Sequence, residues 1–167
     1  MSTITIDIRA AIPPDAPALA AVHEASWREA YSGILPPRAL MGFIHRRGPG
    51  WWVRTVRHAG VLVVEVGGRV AGYATYGRNR TAALPQGGEI YELYLLPEYQ
   101  GLGFGRQLFA AALSRLRSMG AGGTVVWSIE QNDRAMAFYR SCGGRDVAEG
   151  TERFDGRVLN KVAFAFD

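Results

Sequence analysis

The sequence predicts an α/β chain of the α+β type, in which strands and helices interleave. Three observations predict it. An apolar strand, Glu89 to Leu96, runs through Pro97 into a glycine-rich turn and at once into a helix. Two apolar runs, Val61 to Val66 and Arg69 to Ala74, flank Gly67-Gly68, which is a hairpin signature. The chain closes on two further strand-like runs that turn at Asp155-Gly156.

The elements follow in order. Ile4-Thr5-Ile6-Asp7-Ile8 alternates and predicts a first strand. Pro13 to about Tyr31 predicts a helix, with Asp15 near its start and Gly33 just past its end. Leu19, Val22, Ser26 and Trp27 share one face of it. Pro36, Pro37, Gly48, Pro49 and Gly50 divide the next stretch into short helical pieces, one from Trp51 to His58. After the hairpin and the Glu89 strand, Gly105 to Met119 is a helix with Leu108, Ala112 and Leu116 in an i, i+4 stripe. Thr124 to Ile129 is a strand and Asn132 to Ser141 a helix. The order is strand, two helices, three strands, helix, strand, helix, two strands. No repeat or linker interrupts it, so residues 1–167 are expected to form one domain.

Composition narrows the class. A chain of 167 residues with 48% hydrophobic content can bury an adequate core and is not a disordered chain. No apolar run approaches membrane-spanning length, and the first nine residues lack a signal-peptide layout. Cys142 is the only cysteine, so no internal disulfide forms; a reducing, cytoplasmic setting is expected. His23, His45 and His58 are too scattered for metal-ligand spacing, so no metal is expected. The net charge is +4, and of the 19 basic residues only Lys161 is not arginine. That bias, beside abundant Ala and Gly, fits codon usage in a GC-rich genome. A mildly basic surface would help to steer a polyanion. No basic and aromatic pattern of a nucleic-acid reader is present, so neither nucleic acid nor membrane is an expected partner. A homodimer is compatible with the sequence.

The glycine-rich turn carries the chemistry. It reads Gln100-Gly101-Leu102-Gly103-Phe104-Gly105-Arg106. A helix start with unpaired N–H groups and no blocking side chains favours an anion, above all a phosphate or pyrophosphate. A dinucleotide fingerprint fails because Arg106 stands where its last glycine is required. A nucleotide P-loop fails because Lys161 is the only lysine. The turn resembles motif A of the GNAT superfamily, the acetyl-CoA-dependent N-acetyltransferases. Gln100, Gly103 and Gly105 match its Gln/Arg-x-x-Gly-x-Gly/Ala pattern, and Leu93-Tyr94-Leu95-x-Pro97 matches the strand before it. About thirty residues on, Asn132-Asp133-Arg134-Ala135-Met136-Ala137-Phe138-Tyr139 and then Gly143 resemble the family's second segment. The resemblance covers the chain from about Val61 to Phe166.

The resemblance implies a mixed, twisted sheet of about seven strands with helices on both faces. The sheet splays between its fourth and fifth strands, here ending at Leu96 and Ile129, and acetyl-CoA is the cosubstrate held in that opening. Leu93, Tyr94, Leu95, the turn from Gln100 through Gly101, Leu102, Gly103, Phe104, Gly105 and Arg106, and Asn132 and Phe138 would contact it. The implied reaction is direct acetyl transfer, in a ternary complex, to a primary amine of a small molecule or a peptide N-terminus. An alkylamine has a pKa around 10, so a base must take a proton. Glu89, at the strand start, is the preferred candidate. Glu92, three residues on, points to the opposite face of a regular strand, a parity that a bulge would change. Tyr139 matches the tyrosine that protonates the departing thiolate. Asn132 is also a natural helix N-cap. Cys142 has no histidine partner nearby in sequence and reads as a packing thiol.

The acceptor side is expected from the first two helices, with Trp27 and Tyr31 as substrate contacts. Glu24, Ser26, Glu29 and Trp51-Trp52 lie in the same region. The run from His23 to Pro36 resembles a subgroup that includes polyamine acetyltransferases. Against a polyamine, no acidic residue lies between Pro36 and Val64, while Arg38, Arg46, Arg47, Arg54 and Arg57 do. The expected acceptor is therefore neutral or carries its own acid. The reading from another class is a regulatory acetyl-CoA-binding module without turnover; Glu89 and Tyr139 weigh against it.

Overall fold

The computed structural model describes residues 3–167; Met1 and Ser2, where the sequence reading of the N-terminus begins, lie outside the described residues. The strands are β1 (Ile6–Ala10), β2 (Gly60–Val66), β3 (Arg69–Arg78), β4 (Gly88–Leu95), β5 (Thr124–Ile129), β6 (Arg145–Phe154) and β7 (Arg157–Phe166). The helices are α1 (Ala16–Tyr31), α2 (Pro37–Arg46), α3 (Pro49–Thr55), α4 (Phe104–Ser118) and α5 (Asp133–Ser141). One mixed sheet runs β1-β2-β3-β4-β5-β7-β6. Among the strands of the described residues only β4 and β5 pair in parallel, with α4 as the crossover between them.

Three boundaries differ from the sequence expectation. β1 begins at Ile6, because Ile6 faces Val66 at the end of β2 and the ladder stops there. Pro13–Asp15 form a 3-10 turn ahead of α1. Asp15 holds this entry: its carboxylate accepts from the Ile12 N–H at 2.9 Å and from Arg9 at 2.8 and 3.0 Å. Three helices, not two, separate β1 from β2. Pro49 opens α3, since a proline in a first turn has no intrahelical N–H to lose.

Strand alternation divides the core. Leu62 and Val64 of β2 face α4, meeting Leu108, Ala112 and Leu116, and the same layer holds Met136 and Tyr139 of α5 with Phe164 of β7. Val61 and Val63 point the other way, to Leu19 and Val22 of α1 and Trp52 of α3. Each such buried aliphatic side chain contributes roughly 1.5–3 kcal/mol. A third cluster joins Trp27 and Tyr31 to Leu40, Ile44, Phe154 and Leu159, under the far end of the sheet.

One irregularity shapes everything that follows. β4 pairs with β5 only at Gly88–Thr124, Glu89–Val125 and Ile90–Val126. Its pairing with β3 continues to Leu95–Gly72. The two parallel strands therefore part after Ile90, and the sheet opens. At the same point the register with β3 slips: Tyr76 faces Ile90, Thr75 faces Glu92, and Tyr91 is left over as a bulge.

Candidate active site

Two cavities occupy the opening. The first, about 590 Å³, lies over the glycine-rich turn and runs between β4, α5 and α1. Gly103 caps α4 with φ of 89°, a left-handed conformation that a side chain would strain, and no side chain caps the helix. The N–H groups of Phe104, Gly105 and Arg106 thus lack an intrahelical acceptor. A Cβ on Gly105 would stand 3.3 Å from the Phe138 ring and 3.5 Å from Leu95, so the bare backbone forms the floor. Gln100 donates to the Leu95 carbonyl at 3.1 Å. Arg134 of α5 bonds to both Gln100 and Glu29, the latter at 2.6 Å, and so bridges α5, the turn and α1. The hydroxyl of Ser26, buried on this wall, has no hydrogen-bond partner.

The second cavity, about 490 Å³, lies on the α1–α2–α3 side. Among the rings that line it, four from three elements pack together: Trp27 and Tyr31 of α1, Phe43 of α2 and Phe154 of β6. Their centroids lie 4.6 Å (Trp27–Tyr31), 5.6 Å (Trp27–Phe43) and 5.5 Å (Phe43–Phe154) apart. Leu93, Tyr94, Asn132, Ala135 and Tyr139 line both cavities, so the two meet at the splayed half of β4.

The bulge decides the carboxylates. A regular strand would put Glu89 and Glu92 on opposite faces. With Tyr91 extra, Glu89 faces Gly77 and Glu92 faces Thr75, two ladder positions apart and on one face. They nevertheless differ in role. Glu92 lines the second cavity and pairs with Arg47 of the α2–α3 turn, whose guanidinium also lies 4.6 Å from the Trp51 ring. Glu89 is 1% exposed and not on the cavity wall. Its oxygens accept from the Arg80 backbone N–H at 2.9 Å, from Arg80 Nε at 3.3 Å and from Arg80 Nη2 at 2.7 Å. Arg80 shields it. Tyr139 is buried where the cavities join, and burial first, then the neighbouring Cys142, raises its phenol pKa above the usual value.

Ten of the twelve residues expected to contact the cofactor line the first cavity. The side chains of the other two point elsewhere: Leu102 outward to solvent and Phe104 into the core beside Tyr99. Asn132 caps α5, accepting from the Ala135 N–H at 3.2 Å, and lines both cavities. Trp27 and Tyr31 line the second cavity, as does Trp51, whereas Trp52 is fully buried in the core. Ser26 and Glu29 belong to the first cavity instead, and Glu24 pairs with Arg28 at the surface. Sequence reasoning did not single out Phe43, Phe154, Arg80, Lys161 or Arg134. No motif marks the first four, because each reaches the site from a distant element; Arg134 lies within the Asn132–Tyr139 segment, at a variable position of its pattern. Among the described residues, no group of three or more His, Cys, Asp or Glu side chains is placed to hold a metal.

Known proteins share this architecture. The chain is 30% identical over 161 residues to an uncharacterized N-acetyltransferase, YuaI, of Bacillus subtilis (strain 168), covering 96% of this chain and 92% of that one. It is 32% identical over 146 residues to a probable N-acetyltransferase of Mycobacterium tuberculosis, covering 83% and 79%. The fold resembles that of the PaiA N-acetyltransferase from Thermoplasma acidophilum, solved in complex with coenzyme A: TM-score 0.76 at 21% identity over 95% of this chain and 98% of that one. It also resembles the putative acetyltransferase yncA from Salmonella typhimurium, solved with acetyl-CoA: TM-score 0.68 at 20% identity over 97% and 93%. Residues 19–144, which include the splayed strands, the glycine-rich turn and Tyr139, match the acetyltransferase (GNAT) family, and the chain belongs to that family.

Proposed function

We propose that this enzyme moves the acetyl group of acetyl-CoA directly to a primary amine, of a small molecule or a peptide N-terminus, in a ternary complex. The observation that carries this is the meeting of two separate cavities at β4 and Tyr139. One side suits the phosphates and pantetheine arm: uncapped N–H groups, a glycine floor and an unpartnered Ser26 hydroxyl. The other holds the acceptor, so both substrates can be present together and no acyl-enzyme is needed.

Bound, acetyl-CoA supplies an activated acyl carbon and a thiolate leaving group. Glu92 takes the proton of the amine, directly or through a water, as the nitrogen–carbon bond forms. It replaces Glu89 in this role because Glu92 lines the cavity and Glu89 is sealed behind Arg80. Backbone N–H groups of β4 beyond Ile90, freed from β5 by the splay, would be available to donate to the carbonyl oxygen as charge develops on it. Tyr139 gives its hydroxyl proton to sulfur as the carbon–sulfur bond breaks. Its raised pKa keeps that proton in place until then.

The test is thiol release from acetyl-CoA against a panel of amines. Turnover with at least one class is the expected result. Calorimetric binding of CoA with no turnover on any amine or peptide would favour the regulatory module. A clear preference for spermidine or spermine would favour the polyamine reading. No helix among the described residues is long and apolar enough to cross a membrane.

A further inference from the structure

The acceptor-side cavity has a cationic corner that acetyl transfer does not use. Arg80 lines it, on the loop after β3. A buried carboxylate, Glu89, is devoted to holding that arginine: it takes three hydrogen bonds from Arg80, through the backbone N–H, Nε and Nη2. The guanidinium rests 4.1 Å from the Tyr91 ring, on the bulge. Arg80 Nη1 has no hydrogen-bond partner among the described residues. Next in sequence, the Thr81 hydroxyl accepts from Trp127 Nε1 at 3.2 Å. The Trp127 ring in turn carries Lys161 Nζ at 4.5 Å. Arg80, Thr81, Trp127 and Lys161 thus form one continuous corner. Lys161 has no carboxylate within ion-pair distance among the described residues. Glu152 and Arg153, also on the wall, are exposed neighbours on β6 whose side chains leave opposite faces of the strand; Glu152, opposite Leu159, shares its face with Lys161. Arg47 is already paired with Glu92. The cationic donors left without a partner at this corner, among the described residues, are Arg80 Nη1 and Lys161 Nζ.

We infer that this corner is an anion subsite, and that the acceptor is a small amine carrying its own carboxylate, with an apolar body. The reading rests on the acetyl transfer proposed above. Glu92 receives the amine, the rings of Trp27, Tyr31, Phe43 and Phe154 receive the apolar body, and Arg80 Nη1 and Lys161 receive the carboxylate. An amino acid with a large apolar side chain has this chemistry. A polyamine has the opposite chemistry: its distal ammonium groups would meet Arg80 and Lys161. Glu89 is a positioning residue, acting on the acceptor through Arg80.

Matched pairs test it: phenylalanine against phenethylamine, leucine against isoamylamine, and γ-aminobutyrate against butylamine. At least one carboxylate-bearing member should have kcat/KM higher by about tenfold or more, the range of a charge-assisted hydrogen bond. Lys161→Gln and Arg80→Gln should each bring that ratio to within about threefold. Arg80→Gln strands Glu89 and can cost folding, so Lys161→Gln, at a half-buried site, decides alone if needed. Equal use of both members in every pair, preference for the plain amine, or an unchanged ratio in Lys161→Gln would overturn the inference. If no pair turns over, the acetyl-transfer reading fails separately. Calorimetric titration of phenylalanine, leucine and γ-aminobutyrate into the CoA-loaded protein then judges the subsite. Binding of one of them, weakened about tenfold by Lys161→Gln, supports it; no binding, or binding indifferent to Lys161→Gln, overturns it.

Discussion

In the proposed mechanism Tyr139 and Glu92 carry opposite proton tasks, and their surroundings suit each. Tyr139 is buried among Phe109, Phe138 and Phe164, with its ring held by edge and tilted contacts. Tyr139→Phe keeps that packing and removes only the hydroxyl. Turnover should fall about 10²-fold, the lower end for a general acid when water can substitute. Titration with CoA should show nearly unchanged affinity; turnover within about twofold of the parent would put the proton donor elsewhere. Glu92→Gln should lower kcat most at neutral pH and recover partly at high pH, where more of the amine is already neutral. Glu89→Gln should behave differently. It removes the charge from a buried carboxylate that holds Arg80, so melting should report a loss of about 1–3 kcal/mol. Kinetics should show a raised KM for the acceptor more than a lowered kcat. The reverse pattern, a kcat collapse in Glu89→Gln alone, would move the base to Glu89.

The strand–turn–helix unit of β4 and α4 works as an element. Its turn is built from backbone: Gly101 and Gly103 take φ of 76° and 89°, and α4 begins with no side-chain cap. Gly103→Asp imposes a side chain on left-handed backbone and puts a negative charge at the positive end of a helix dipole that should face phosphate. Gly105→Asp drives a side chain at Phe138 and Leu95 as well. Both should abolish CoA binding by calorimetry while far-UV circular dichroism still reports a folded chain. Unchanged affinity in a folded variant would make the turn purely structural. α5 contributes in the same way, since its Asn132 cap and Arg134 stand at its N-terminal end, beside the turn.

Across the whole molecule, stability is set to depend on acid. His23 is 1% exposed between the Trp27 and Trp52 rings, and neither nitrogen has a partner. Burial first, and the charge of Arg47 second, lower its pKa to about 3 from 6.5. Between those values the unfolded chain binds a proton that the folded chain refuses. Stability is thus full above pH 6.5 and declines on acidification toward 3, by up to about 1.4 kcal/mol per pH unit. Asp15 adds a later loss. Its hydrogen bonds from Arg9 depress its pKa below 3.8, so its contribution is present above that value and disappears as pH falls through the depressed one. Urea unfolding at about pH 7, 5 and 4 should show the first slope, and His23→Leu, which removes the titrating group and two unpartnered nitrogens, should flatten it. An equal slope in His23→Leu would assign the acid sensitivity to other groups.

The sequence by itself determined the strands and their order, the glycine-rich turn and the helix that begins after Asn132. These are local: period-2 and helical stripes, glycines at a helix start and an N-cap all act within a few residues. It carried the two faces of β2 and the i, i+4 stripe of α4 for the same reason. Only the tertiary structure decided the site's charges and walls. Arg47 meets Glu92 across 45 residues of chain. Phe43 and Phe154 join Trp27 and Tyr31 from a helix and a strand far apart in sequence, and Lys161 reaches the corner from β7. That Glu92 shares a face with Glu89 turned on one extra residue, Tyr91, in the pairing of β4 with β3, and Glu89 is held off the cavity by Arg80. A bulge is a property of two strands in register, and it appears where β4 must leave β5. No periodicity within a single strand encodes that parting, so the face of each carboxylate became legible only once the sheet was assembled.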